Sequence, residues 1–340
     1  MSPVVDVHAH VIPRSALDQA DTGNSWFGSM IERDDAGRPV AITNGRRMVF
    51  GSAEHFLPFQ LRIERMDAQG VDIQVLSLIP PLFRYDLEPL VAADAARAIN
   101  DELGELVDRW PTRFRALGTL PLGDPDLALA ELERVMKSHA FIGVEIGTHV
   151  NGANLDDPRI ERVLTACAAL GAFVFCHPAD PRGDAGTRSR FLGNVVGNPM
   201  ETTLAIDSLI LGGVLDRLPD LTVCLAHAGG YAAFGIGRLE HAYAVRDELR
   251  DTLHASPRDL LRRCFVDTLT HDEHALRLVI DVMGAGQVAL GSDYPADMGS
   301  ADPVGDVTSL EWLSDTDKAA ILGGNVIGRV PRLANVGAGR

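Results

Sequence analysis

The chain has 340 residues, 46% of them apolar and 23% charged, which is enough to bury a large core. Its net charge of −16 argues against nucleic acid or an anionic membrane as a partner. No stretch reaches the roughly 18 consecutive apolar residues of a membrane span. The chain also enters its first strand without a basic and then apolar leader, so a cytoplasmic protein is expected.

In chain order, the first predicted element is "VVDVHAH" (4–10), an apolar strand that closes on two histidines. Residues 14–58 follow as a long insertion rich in Gly, Asp and Arg. Further apolar runs read as strands: "VDIQVLSLI" (71–79), "RFRALGTL" (113–120), "FIGVEIGT" (141–148) and "AFVFCHP" (172–178). A second long loop (179–198) precedes "LTVCLAHAG" (221–229), "RCFVDT" (263–268) and "QVALGSD" (287–293). Helical patterns lie between them, among them 90–110, 125–139 and 274–283. Near-continuous apolar strands alternating with helices predict an α/β protein. We expect a (β/α)₈ TIM barrel, one domain over residues 1–340 with a small insertion after the first strand. A doubly wound nucleotide fold is disfavoured, because the first turn carries histidines where that fold needs a GxGxxG. The four cysteines sit in apolar runs with no CxxC, as small core residues do.

The chemistry lies at the strand ends. His8 and His10 close the first strand, His177 the fifth, His227 the sixth and Asp293 the eighth. In a parallel barrel these ends meet at one mouth. The i, i+2 spacing of His8 and His10 puts both imidazoles on one strand face. His8, His10, His177 and Asp293 together make an N/O ligand set for one divalent cation. Zn²⁺ suits it best, with Mn²⁺, Co²⁺ or Fe²⁺ as substitutes. His227 is then the candidate acid or base, since imidazole is the side chain type suited to proton transfer near neutral pH, and Asp293 serves both as ligand and in catalysis. A lone HxH is a weak signal, but four strand ends carrying such residues are hard to reach by accident. Glu145 reads as structural and His149 as a loop residue. His55, His139, His241, His254, His271 and His274 read as surface or packing residues.

Six segments carry a resemblance: "DVHAHVIP", "RIERMDAQGVDIQVLS", "GVEIGTHVNGANLDDP", "FCHPAD", "LAHAGGYAAFGIGRLEHAY" and "VALGSDYPADMG". With them the chain resembles the decarboxylase branch of the amidohydrolase superfamily, over nearly its whole length. The resemblance implies one Zn²⁺ on His8, His10, His177 and Asp293, with His227 as the acid/base. It also implies a homodimer in which Arg238, on the helix after the sixth strand, reaches a substrate carboxylate across the interface, with Arg246 further along that helix. The branch carries another substrate-binding arginine in the insertion. Counted back from "RIERMD", that place is held by Phe50, with Arg46 and Arg47 just upstream. Arg47 is the candidate to take over its role. The expected activity is non-oxidative decarboxylation of an unsaturated or aromatic carboxylic acid. The alternative is a metal-dependent hydrolase or hydratase acting on a ring-cleavage product or a lactone. Either acts on a small-molecule carboxylate. A retired, non-catalytic barrel is disfavoured by the presence of both His227 and Asp293.

Overall fold

The computed structural model describes residues 2–20, 22–43, 46–49, 52–179, 181–182, 187 and 189–334. Strand β1 (Val5–Val11) leads into the insertion. There the chain forms an antiparallel sheet in the order β2 (Ser25–Trp26), β3 (Ser29–Arg33), β4 (Pro39–Thr43) and β5 (Arg46–Val49). It returns through the helix Phe59–Gln69, which stops at Gly70, whose φ of 75° suits a residue without a Cβ.

Seven more parallel strands then follow in chain order: β6 (Ile73–Leu78), β7 (Phe114–Thr119), β8 (Phe141–Gly147), β9 (Phe173–His177), β10 (Thr222–Leu225), β11 (Phe265–Asp267) and β12 (Val288–Ala289). The segment after β12 closes the ring on β1. Val7 N–H donates to Leu290 O at 2.9 Å, and Asp293 N–H donates to His8 O at 2.8 Å. The predicted eight-stranded barrel is the observed one.

Helices cover the outside because one face of each is apolar. In Pro89–Arg109 the buried side chains include Ala92, Ala96, Ile99, Leu103 and Val107, the spacing of a single helical stripe. Its start is fixed by Glu88, whose carboxylate accepts from Leu90 N–H and Val91 N–H. Inside the barrel, Val5, Val7, Ile73, Val75, Phe173 and Phe175 pack together. Val326, Val330 and Leu333 of the C-terminal segment belong to the same cluster and plug the end opposite the mouth. Arg332 ties that plug down by donating to the carbonyl of Met136 at 2.6 Å. All four cysteines are buried and free. Among the described residues no helix is long and apolar enough to cross a membrane.

The structure adds a feature that alternation alone conceals. The register of β1 on β6 shifts between Asp6 and Ala9. Before the shift the odd residues Val5 and Val7 face the barrel interior. After it the even residues His8 and His10 do, with His8 against Phe175 at a ring separation of 4.8 Å. One extra residue in the strand re-aims both imidazoles inward, as bulges near sites do. Without it the histidines would share the outward face with Asp6.

The last three strands are shorter than their apolar runs suggest. β10 ends at Leu225 and β12 at Ala289, so His227 and Asp293 lie beyond the strands, in the turns that leave them. Both have left-handed backbones, with φ of 55° and 56°. Such a conformation breaks the ladder and turns the side chain across the mouth.

Candidate metal centre

One group of ligand-type side chains meets at the mouth: His8, His10, His177 and Asp293, all buried, with ligand atoms within 4.8 Å of one another. His8 Nε2 and His10 Nε2 are 3.1 Å apart. Asp293 Oδ1 lies 3.3 Å from the first and 3.2 Å from the second. His177 stacks edge-on against both other rings, at centroid separations of 5.0 and 4.9 Å. His177 Nε2 is buried and has no hydrogen-bond partner among the described residues. A buried lone pair left open is costly unless something fills the space in front of it.

The far sides of the three rings are fixed. His8 Nδ1 meets Asp267 Oδ2 at 2.7 Å, His10 Nδ1 meets Ser77 Oγ at 3.1 Å, and His177 Nδ1 donates to Pro178 O at 2.8 Å. Anchored Nδ1 atoms turn three Nε2 lone pairs to one point, the pattern of metal-bound imidazoles held by outer partners. Three nitrogens and a carboxylate oxygen at this spacing fit a divalent cation with bonds of about 2.0–2.2 Å.

The electrostatics agree. Burial works against a charged His8, yet Asp293 and Asp267 together push its pKa up to about 10. Burial disfavours a charged Asp293 too, but His8, His10 and His227 hold it well below the ordinary carboxylate range. His177 is held well below its ordinary value by burial and then by the surrounding imidazoles, so its lone pair is free to ligate. The centre of the cluster is built for positive charge.

His227 stands beside the four. Its Nε2 lies 3.7 Å from Asp293 Oδ2, and its ring is 4.8 Å from that of His177. Asp293 therefore offers one oxygen to His8 and His10 and turns the other to His227. Glu145, fully buried, sits with Oε1 3.7 Å from His10 Nδ1, and neither of its oxygens has a hydrogen-bond partner among the described residues. Burial drives its carboxyl well above the ordinary range. It lies outside the four-residue cluster, in keeping with a structural role.

Asp267 is the residue the sequence reading passed over. It closes β11 and accepts from His8 Nδ1 (2.7 Å), His227 N–H (3.0 Å), Ala228 N–H (2.7 Å) and Leu269 N–H (3.0 Å). Its signal was present, since "RCFVDT" ends an apolar strand on a carboxylate just as "VALGSD" does. His55 needs a correction of another kind. It is not simply a surface or packing residue: it lines a cleft with Tyr294, the neighbour of Asp293, and its Nε2 is buried.

The candidate substrate residues are not gathered at the cluster. Arg47 is exposed on β5, and Arg238 is exposed on the helix Ala232–Val245. Phe50 lies outside the described residues.

A family model described as "Amidohydrolase" matches residues 5–326. The chain is 36% identical over 326 residues to the 2-amino-3-carboxymuconate-6-semialdehyde decarboxylase of Dictyostelium discoideum, covering 95% of this chain and 90% of that one. The crystal structure of 5-carboxyvanillate decarboxylase from Sphingomonas paucimobilis superposes with a TM-score of 0.81 at 25% identity, over 97% of this chain and 99% of that one. A dihydroxybenzoic acid decarboxylase from Polaromonas sp. JS666, solved with bound manganese and the inhibitor 2-nitroresorcinol, shares the fold with a TM-score of 0.79 at 22% identity. That match covers 97% of both chains.

Proposed function

We propose that this chain, which belongs to the amidohydrolase family, is a metal-dependent carboxy-lyase that releases CO₂ from an unsaturated or aromatic carboxylic acid without an oxidant. The observation that carries the reading is the buried four-ligand cluster with His227 facing the free oxygen of Asp293. Its relatives are named as decarboxylases of such acids, and the hydrolase alternative is not needed.

His8, His10, His177 and Asp293 hold the cation. When bound, it supplies Lewis acidity toward substrate oxygens and steadies negative charge as it develops. Zn²⁺ is our choice from the donor set, although Mn²⁺, the ion in the Polaromonas structure, suits the same donors. His227 delivers a proton to the carbon that bears the carboxylate. That carbon becomes tetrahedral, its bond to the carboxylate breaks, and the electron pair returns to the unsaturated system as CO₂ leaves. One proton replaces one CO₂, so no redox partner is required. Asp293 Oδ2, 3.7 Å from His227 Nε2, orients the imidazole and balances its charge while it carries the proton.

Arg238 belongs to the same proposal, as a carboxylate-holding residue that acts from the second subunit of a homodimer. It lies one helical turn beyond Phe234, which is 84% exposed. Tyr231, Phe191 and Val195 are exposed nearby, with Tyr231 Oη donating to Val195 O at 3.4 Å. Apolar surface of this kind beside a cation favours a protein partner over water. A second copy would bury it and bring Arg238 to a neighbouring mouth. Arg47, exposed on β5, belongs to the same proposal as a further contact for the acid, and the acidic chain works in the cytoplasm.

The test is CO₂ release from a panel of unsaturated and aromatic carboxylic acids by the metal-loaded protein. We expect stoichiometric CO₂ and a product carrying one solvent-derived hydrogen at the vacated carbon. Turnover of lactones or amides with no CO₂ from any acid would contradict the reading.

A further inference from the structure

A cleft of about 750 Å³ opens beside the metal centre, between the helices Phe59–Gln69 and Pro89–Arg109. It begins where both ligand segments leave the barrel, because residues 11–12 after His10 and 294–295 after Asp293 line it. Phe56, Phe59 and Trp110 give it apolar walls. Two polar groups in it are unusual. Arg62 is only 6% exposed and lines the cleft. Its Nε donates to Gln74 Oε1 at 2.6 Å and its Nη1 to His10 O at 2.9 Å, while Nη2 is buried with no partner among the described residues. Its guanidinium lies 4.7 Å from the Tyr294 ring centre, and no carboxylate among the described residues forms a salt bridge with it. His55 lines the same cleft, and its Nε2 is likewise buried and unpartnered.

Two carboxylates act on Arg62 without pairing with it: Asp6, reached only through Gln74 and held by Ser292 Oγ at 2.6 Å, and Glu54, which is engaged elsewhere. It accepts from Tyr294 Oη at 2.5 Å and from Arg65 Nη2 at 2.8 Å. A buried guanidinium with no directly bonded carboxylate, lining the same cleft as an unpartnered imidazole nitrogen, is an expensive arrangement unless an anion completes it. Burial, and then the Arg62 charge, hold the His55 imidazole well below its ordinary pKa. It is therefore neutral and able to donate through Nε2.

We propose that this cleft is a binding site for an apolar carboxylate, whose oxygens take Arg62 Nη2 and His55 Nε2 while its hydrocarbon lies against Phe59 and Trp110. The carboxylate has two sources: an acid group that the substrate keeps after CO₂ is lost, or a separate carboxylic acid acting as an effector. Both would be recognised by the same charge-assisted hydrogen bonds over an apolar wall.

The test uses benzoate and the metal-loaded protein, read through Trp110 fluorescence, with Trp110→Phe as the control that removes the signal. Native protein shows saturable quenching. His55→Ala weakens benzoate binding about tenfold or more, the worth of one hydrogen bond to a charged group. His55→Gln, which keeps an N–H donor, recovers much of that loss, and metal content is unchanged in both. Absence of saturable quenching in native protein, or equal affinity in native and His55→Ala, overturns the site. Inhibition of CO₂ release by benzoate then separates the sources, competitive for a retained substrate acid and non-competitive for an effector, and in either case needs about tenfold or more benzoate in His55→Ala. The fluorescence arm needs no turnover, so its failure leaves the carboxy-lyase reading standing, and the reverse holds too.

Discussion

His227 keeps its place against its own backbone preference. Its φ of 55° and that of Ala228, 54°, are left-handed, a conformation that costs about 1–3 kcal/mol for a residue with a Cβ. Asp267 offsets that cost by accepting both N–H groups, at 3.0 and 2.7 Å, while also holding His8. One carboxylate thus aims His8 and sets the backbone of His227, the residue we propose as proton donor. Because His227 lies outside the four-residue cluster, His227→Ala is expected to retain the metal but lose about 10²–10⁴-fold in turnover, the usual share of a general acid. Near-normal turnover with metal content intact would remove it from the mechanism. The ligands were legible because strand-end histidines are rare and recognisable. Asp267 was not, because an aspartate after an apolar strand reads equally well as the start of a turn. His55 was hidden because it lies in a single 3-10 turn, Ala53–Phe56, too short for a sequence pattern to show which residues turn inward.

At the scale of elements, the site depends on two departures from regular strands. The register shift in β1 turns His8 and His10 inward, and Gly291 lets the segment after β12 press against His8 and Asp267. A Cβ on Gly291 would lie 2.7 Å from Asp267 Cβ and 2.9 Å from His8 Cβ, far inside contact distance. Gly291→Ala must therefore displace the pair that orients the first ligand. We expect a loss of about 10–100-fold in metal affinity, the usual effect of disturbing a ligand's outer partner. Metal titration of the folded variant checks this, and unchanged affinity would show that the pair adapts. The eight barrel strands were legible because buried parallel strands are near-continuous apolar runs. The sheet β2–β5 was not, since strands of two to five residues in a polar segment carry too few alternations to be told from loop. The shift in β1 leaves no trace in composition either, so the shared face of the two histidines was predictable but the direction it points was only assumed.

At the scale of the molecule, the barrel brings residues nearly 300 positions apart to one rim and leaves an exposed apolar surface around Phe234 and Arg238. If Arg238 serves a neighbouring subunit, an inactive Arg238→Ala variant and an inactive His8→Ala variant should complement each other. Mixed and allowed to exchange, they form hybrid dimers with one intact site, and about a quarter of native activity per dimer site returns on statistical grounds. No recovery, with exchange demonstrated, would place the role of Arg238 within its own chain.

Four side chains are proposed to close around a single divalent cation, and elemental analysis of protein purified without chelator decides whether they do. Close to one tightly held ion per native chain is expected, and almost none in His177→Ala, which loses an Nε2 that is buried with no other partner among the described residues. A native protein with no stoichiometric ion, or a His177→Ala variant that keeps its ion through dialysis, would contradict it.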